Sequence, residues 1–557
     1  FEGLENLELI GGDFEIYSSA AGADRFNDAN SLNKLESFKG LGKLKTIKGN
    51  FKITSIAHGA YCHAMEALKS FEGLENLETI GKDLEIISCN NTETGKSLKN
   101  LSSFKGLDKL QQIGGSLKLF SNLPEKEYYI FSPAFSSFEG LGNLKSIGGS
   151  LEIGVNRSTK LASLSSFTGM EKLEYIGNNF IIRGELPNFT SFSGLTNLNM
   201  VMGDFVMQFE ASETDVSLQG LNNLQSIGGN LTLSIVRLKN LRGLNNLNNI
   251  GKDFTVEHIA SLEGLGNIST IKGNLSIGYN TFTSFKGLEN LTLIEGNLFM
   301  NDGRFLSFEG LNNLKTIKGD FELKSNTAFN KITSFEGLNS LQVIGGSFKL
   351  TAISSTVHEA SSFNALESFE GLNNLEYIGG GMELTSAIIE QARVSASFKC
   401  LKSFRGLNKL ASIGGDLILS CKTHPTEGYT SSSTSFRALQ SCEGLNHLES
   451  IGGSLIFEAG SFTEFGSFNG LENLKTIGKN IRIKMEKLRP SLSNIDAFNS
   501  LQQVNGEEIS ITDCVILEDF TPLQNILQTF NGTFITEGNG YNPSKEQILN
   551  GQGKPQK

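Results

Sequence analysis

Apolar and polar positions along this chain recur in a fixed frame of 16 residues. In the copy that begins at Phe71, "FEGLENLETIGKDLEI", the apolar residues are Phe71, Leu74, Leu77, Ile80, Leu84 and Ile86. They fill the first, fourth, seventh and tenth places, then the fourteenth and sixteenth. A spacing of three followed by a spacing of two is neither a sustained helix nor a sustained strand. It predicts a chain that bends around a core and ends in a short strand, here Asp83 to Ile86. A tandem array of helices is the competing reading, and the glycine pairs and β-rich ends speak against it.

Seventeen copies, from Phe1 to the one that starts at Phe468, keep the frame without a gap, and two degenerate copies follow from Ile495 and Phe520. Between the two halves of each clear copy lies a pair with at least one glycine, such as Gly11-Gly12, Gly81-Lys82 or Lys272-Gly273. A tight turn needing positive φ is the expected reason. The next residue is nearly always Asp, Asn or Ser (Asp83, Ser116, Asn230, Asp320), suited to bonding turn backbone. Each copy is therefore expected to be one coil of an all-β, right-handed β-solenoid of about 19 coils. Stacking puts Phe on Phe, which accounts for 40 Phe and no Trp. At ~4.8 Å per strand such a stack is a rod roughly 90 Å long. One uninterrupted solenoid is expected over residues 1–536, with 537–557 as cap and tail. Within that tail Ser544 and Gln547 read as a capping box opening a short helix that Gly551 ends.

Charge and composition narrow the function. A formal charge of −11 over 557 residues argues against nucleic acid or an anionic membrane as the main partner. No apolar run approaches the roughly 18 residues of a spanning helix. The chain starts at Phe1, inside a repeat, so targeting information is expected in a segment preceding it. Six cysteines without CxxC spacing read as mostly free thiols, and Cys442 stands in the place of a core Phe.

Motifs for chemistry are absent: no HExxH, GxSxG, GxxxxGK[ST] or acidic calcium loop occurs. His58, Cys62 and His63 in "HGAYCH", and Cys421 with His424, match no closed metal set and read as loop residues. A β-helix hydrolase or lyase would need paired carboxylates, or a base beside calcium, on an exposed sheet. Glu85 and Glu152 instead have Lys52 and Lys118 as neighbours, which reads as an ion-pair ladder. The sequons at Asn230 and Asn274 fall on the repeat's turn and read as its by-products. No catalytic residue, metal or cofactor is assigned.

What varies is informative. Successive frames start 21 to 38 residues apart while the frame itself stays fixed, so every insertion follows the strand. Loops are long at both ends and short between about Leu218 and Phe308. One long loop, Phe120 to Ser137, carries Phe120, Tyr128, Tyr129, Phe131 and Phe135; another, Ser420 to Ser441, is rich in Ser and Thr. The fifteenth place, expected to face solvent, alternates Glu15, Lys52, Glu85, Lys118, Glu152, then becomes Ile181, Val206, Thr232, Thr255, Ser276, Phe299, and returns to Glu322, Lys349, Glu383. An uncharged strip on a charged surface marks a contact site. The candidate binding floor is Ile181, Val206, Thr232, Thr255, Ser276 and Phe299, with His258, Tyr279, Phe282 and Arg304 contributing from adjoining loops.

The motif "GLENLETIGKDLEI" resembles the receptor L-domain repeat, a leucine-rich-repeat-like β-helix of insulin- and EGF-receptor ectodomains and fungal cell-wall proteins. Long arrays of it occur in surface proteins of Bacteroidetes-type bacteria. The likeness covers roughly Phe1 to Thr536, and the stretch from Asp519 to Gly551 looks like the terminal coil and cap of the bacterial arrays. Unlike the receptors, the chain shows no cysteine-rich module after the repeats and has far more coils. The resemblance implies a secreted protein or outer-membrane lipoprotein, its anchor in the preceding segment. It also implies non-enzymatic recognition of a protein, peptide or glycan, in adhesion or beside a nutrient importer. A rigid spacer or surface-layer scaffold is the first alternative, and a polysaccharide-active β-helix enzyme the second.

Overall fold

The computed structural model describes all residues except 22–28, 59–61, 91–95, 121–133, 155–160, 212–214, 303, 326–328, 355–361, 389–396, 423–434, 459–460, 486–490 and 557. The chain forms two compact units, Phe1–Ile268 and Ser269–Lys557. In both, each regular coil lays down two strands. A two-residue strand at the ninth and tenth places joins a narrow sheet, and a longer strand from the fourteenth place joins a broad one. In the first unit the narrow sheet runs from Leu9–Ile10 to Asn249–Ile250 and the broad sheet from Phe14–Ala20 to Phe254–Ile259. In the second unit they run from Thr270–Ile271 to Gln503–Val504 and from Leu275–Gly278 to Thr533–Glu537. Pairing is parallel and place-for-place, as in Thr46↔Thr79 and Leu84↔Leu117. Each unit is thus a β-solenoid.

The six apolar places point inward and are essentially inaccessible in the inner coils, for example Phe71, Leu74, Leu77, Ile80, Leu84 and Ile86. The first-place rings form an offset stack: Phe38–Phe71 lie 5.5 Å apart, and in the second unit Phe335–Phe369 lie 5.6 Å apart, each pair within 2° of parallel. Burying one such ring contributes about 1.5–3 kcal/mol, repeated coil after coil. The core also extends beyond the 16-residue frame. Six residues before a first place the second unit carries another aromatic column, with Phe363–Phe398 at 5.1 Å and Phe398–Phe436 at 5.0 Å. These phenylalanines sit at φ of 58 to 60°. A bulky residue there costs about 1–2 kcal/mol, which the stacking and burial offset. In the first unit Leu32, Met65 and Leu98 hold the same place with the same handedness.

The glycine pairs have a different cause from the expected one. Their φ values are not positive; the positive-φ glycine is at the third place, such as Gly73 (104°) and Gly371 (102°). The pair glycines are required by close approach of coils instead. A Cβ on Gly114 would lie 2.2 Å from the carbonyl oxygen of Gly81, and one on Gly81 2.3 Å from that of Lys48. The polar residue that follows bonds the next coil rather than its own turn. Ser116 N donates to Asp83 Oδ1 (2.7 Å), Ser150 N to Ser116 Oγ (2.9 Å) and Ser347 N to Asp320 Oδ1 (2.7 Å). Asparagine at the sixth place makes a further ladder, with Asn143 Nδ2 donating to Asp108 O (2.7 Å) and Asn374 Nδ2 to Asn339 O (2.8 Å). The fifth-place side chain accepts the N–H of the positive-φ glycine, as Glu75 does from Gly73 (2.8 Å).

The final coil departs from the pattern. A helix, Gln524–Thr529, replaces its narrow strand, while Thr533–Glu537 still pairs with Glu508–Thr512. The capping box is present: Ser544 Oγ accepts Gln547 N, Ser544 N donates to Gln547 Oε1, and Gly551 follows the helix Lys545–Leu549 at φ 78°. Phe520 N donates to Gly553 O (2.8 Å), and Lys545 Nζ to Phe530 O, which pins the tail to the last coil. None of the six cysteines forms a disulfide, and five of them are buried. Burial raises the thiol pKa of Cys442 well above its ordinary value and that of Cys514 to about 12, in both cases helped by a nearby carboxylate.

Candidate binding surface

The outward row of the broad sheet is positioned by the pleat. With the fourteenth and sixteenth places inside, the fifteenth must face out. In the first unit this row begins as a charge ladder in strict register, Glu15↔Lys52↔Glu85↔Lys118↔Glu152. Lys118 Nζ reaches both Asp83 Oδ2 (2.8 Å) and Glu85 Oε1 (2.9 Å), and Lys52 lies 3.6 Å from Glu85. Partial burial works against the Lys118 charge, but the hydrogen bonds and charges of Asp83 and Glu85 outweigh it and lift its pKa to about 12. The same balance, burial against Lys118 and the Ser116 N–H, holds the Asp83 carboxyl below its ordinary value.

Beyond Glu152 the row becomes Ile181↔Val206↔Thr232↔Thr255, again in unbroken register. Four of the candidate residues are therefore contiguous in the first unit. Ile181, Thr232 and Thr255 are half-buried, but Val206 is only 8% exposed. It faces outward beneath its neighbours, so a lysine there would not be neutral for the fold. His258 is exposed at the end of Thr255's strand, with φ 59°. In the second unit Ser276 pairs with Phe299, which pairs with Glu322 where the charges resume. Tyr279 is 54% exposed and Arg304 is exposed. Phe282 is not part of any surface: it is 3% exposed, with its ring 5.8 Å from Phe285 and 4.9 Å from Phe305. Its sequence context, a loop next to a frame, conceals the fact that the core includes the residues just ahead of each first place.

Reading only the fifteenth place missed three features. Charge persists two residues further along the strands, where Arg183 Nε donates to Gln208 (3.2 Å) and Ser234 Oγ to Glu257 (3.2 Å). On the narrow sheet the outward ninth place is apolar in the first two of these coils, with Tyr175 paired to Met200 and Met202 50% exposed at the turn, before Ser226 and Asn249 follow. In the second unit Ile418 pairs with Ile456, a further uncharged step of the broad face. The ninth and seventeenth places, read coil by coil, would have revealed the first two.

The other sequence candidates resolve into structure. Phe135 is buried, 5.2 Å from Phe104, whereas Tyr128, Tyr129 and Phe131 lie outside the described residues, as does most of Ser420 to Ser441. Cys62 is buried, and the His63 ring bonds Glu66 (2.5 Å). Burial works to raise the Glu66 pKa, but His63 and Lys96 hold it low. Asn230 Nδ2 donates to Asp204 Oδ1 (3.0 Å) inside the turn ladder. Successive carboxylates occur at the second place of the second unit, Glu309, Glu336 and Glu370, where Lys286 pairs with Glu309 (3.2 Å) and Arg405 with Glu370 (2.8 Å). That is a solvated ion-pair row.

No protein-family model matches the chain, and no curated protein matches it. Among solved structures, TLR13 in a complex with ssRNA13 is 15% identical over 92% of this chain and 77% of that one, with a TM-score of 0.26. Mouse RP105 in its complex with MD-1 is 13% identical over 89% and 87%, at 0.24. A leucine-rich repeat protein from Bacteroides ovatus is 12% identical over 93% and 98%, at 0.16. Likeness at these TM-scores bears on neither site nor partner. By its own strand pairing and repeat spacing, the chain is a leucine-rich-repeat-like β-solenoid.

Proposed function

We propose that this chain is a non-enzymatic recognition module that holds a protein, peptide or glycan against the broad sheet, with Ile181, Thr232 and Thr255 as the contact floor in the first unit. The observation that carries this reading is the loss of charge along a row whose register is unbroken. Nothing in the packing demands the change, because the inward places on both sides of it are filled alike. Display on the outer face of a bacterial outer membrane, or secretion, follows from the resemblance of the repeat, and assembly with a nutrient importer is its extension. Ser276 and Phe299 form a separate candidate floor in the second unit.

The test pans immobilised protein against a random-peptide display library and a glycan array. Ligands enriched on the wild type should bind the Thr232→Lys/Thr255→Glu variant, whose opposite charges are cross-strand neighbours, at least tenfold more weakly while its melting temperature stays within a degree or two of wild type. Equal binding to wild type and variant would remove the strip as the site and leave a scaffold. Protease shaving of intact cells tests the surface assignment, which fails if the chain is protected.

A further inference from the structure

At the sixth place of the frame the first unit alternates Asn6, Lys43, Asn76, Lys109, Asn143 and Lys172. Each lysine closes the amide of the asparagine before it. Lys43 Nζ donates to Asn6 Oδ1 (2.7 Å), Lys109 Nζ to Asn76 Oδ1 (2.6 Å) and Lys172 Nζ to Asn143 Oδ1 (2.7 Å). The alternation then stops, and Asn197, Asn223, Asn246 and Asn267 follow without a lysine. Their Nδ2 groups still hold the coil before, as Asn246 does on Asn222 O (2.7 Å) and Asn267 on Asn245 O (2.6 Å). Their Oδ1 atoms have no partner among the described residues. The fifth place changes in the same coils. Glu75 and Asp108 accept the N–H of their positive-φ glycine through a carboxylate, whereas Asn222 and Asn245 accept it through Oδ1 (3.2 and 3.0 Å). That bond turns each Nδ2 away as an open donor.

These amides meet in a groove of about 540 Å³ whose lining includes Gln219, Asn222, Arg242, Asn245 and Asn246. No carboxylate and no apolar side chain lines it, and Arg242 is already paired with Glu263 (2.9 Å). From Ser217 to Val236 the chain carries no charged residue at all.

We propose that this groove binds a neutral oligosaccharide, whose hydroxyl groups are taken by Asn222 Nδ2, Asn245 Nδ2, Asn246 Oδ1 and the amide of Gln219. A sugar hydroxyl both donates and accepts, so it suits a surface that offers amide donors and acceptors side by side. A peptide fits less well, because the groove gives its side chains neither an apolar pocket nor an open charge. Coils rise by ~4.8 Å, close to the length of one hexose, so the ligand runs across the coils with about one ring to each. The groove precedes the narrow strands and shares no residue with the floor on the broad sheet, so this inference stands apart from that reading.

The probes are cellohexaose and mannohexaose, labelled at the reducing end and titrated against the chain by fluorescence anisotropy. Binding of at least one in the millimolar range is expected, since no aromatic ring lines the groove for stacking. Asn246→Lys extends the native alternation by one coil, with its ammonium on Asn223 Oδ1 as Lys109 is on Asn76. It should weaken binding at least tenfold and leave the melting temperature within a degree or two. Gln219 is exposed and its side chain bonds nothing described, so Gln219→Ala should weaken binding about threefold without touching the fold. No binding of either sugar up to about 20 mM, or an Asn246→Lys variant that binds like wild type, overturns the proposal. A ligand lost from Asn246→Lys that proves to be a peptide also overturns it. So does sugar binding that survives Asn246→Lys and disappears in Thr232→Lys/Thr255→Glu, because the sugar would then lie on the broad sheet.

Discussion

Two stretches of the first unit share one fold and differ in what they show to solvent. From Glu15 to Glu152 the outward row of the broad sheet is an ion-pair ladder; from Ile181 to Thr255 it carries no charge. Behind both stretches the same machinery operates. The turn ladder passes from Ser116 N on Asp83 (2.7 Å) in the charged stretch to Asn230 N on Asp204 (2.8 Å) in the bare one. The asparagine ladder likewise runs from Asn143 to Asn223, each bond 2.7 Å. The comparison teaches that inward places and turns specify the solenoid while the outward row is left free for function.

The largest test of that claim is directed at the core. Phe104→Ala in the charged stretch and Phe192→Ala in the bare one should each cost about 3–5 kcal/mol. Both rings are inaccessible and stacked. Hydrogen exchange of the neighbouring strand amides reads the loss locally. A cost below about 1 kcal/mol at Phe192 alone would mean the bare stretch is loosely packed, and its lack of charge a sign of weak structure.

Next come the glycines that let coils approach. Gly114→Val would place Cβ 2.2 Å from Gly81 O, and Gly228→Val 2.1 Å from Met202 O. Since backbone must shift in both, a loss of about 1–3 kcal/mol or more is expected at each site. Denaturant titration should return similar values for the two. Unequal values would show that the outward row helps to hold coil spacing, against the division drawn above.

These positions also show how far the sequence could be read. Phe71 to Ile86 declared their burial through spacing alone, and Ser544 with Gln547 declared a cap through a local rule. The narrow strand did not show itself, because two residues such as Thr79–Ile80 are too few to alternate. Gly73 and Gly81 look alike in the sequence, yet one is needed for a left-handed turn and the other for clearance from a neighbouring coil. That difference exists only between coils. Phe282 and Val206 were misjudged for the same reason: their exposure is set by the coil next door.

A smaller effect distinguishes the stretches directly. Lys118→Met leaves Asp83 without its cation and Glu85 with Lys52 alone, 3.6 Å away. The folded pKa of Lys118 is about 12, above its ordinary 10.5, so its stabilising contribution is full below pH ~10.5 and is lost as pH rises through 12. Asp83, held low, contributes above its ordinary 3.8 and loses that contribution as pH falls through its folded value. Wild type should therefore lose its margin over Lys118→Met at both extremes and in high salt. Thermal melts from pH 3 to 12 check this. A margin indifferent to pH would mean that Lys118 acts by packing its stem.

The smallest stability effect should accompany the largest functional one. Thr232 and Thr255 are directly paired across the sheet and half-buried. Thr232→Lys with Thr255→Glu continues the ladder of Glu15 to Glu152 into the bare stretch, with opposite charges as cross-strand neighbours. Exposed ion pairs contribute about 0–1 kcal/mol, so the variant should melt within a degree or two of wild type. Glu257 lies on the same face, two residues from Thr255, and Ser234 already bonds it. The new lysine faces both carboxylates of that one strand and offsets the repulsion between them. If the bare row is a contact floor, this stable variant loses the ligands that wild type selects from peptide and glycan libraries. A variant that is both stable and fully competent would mean the outward row has drifted without consequence, and the two stretches would then differ in composition alone.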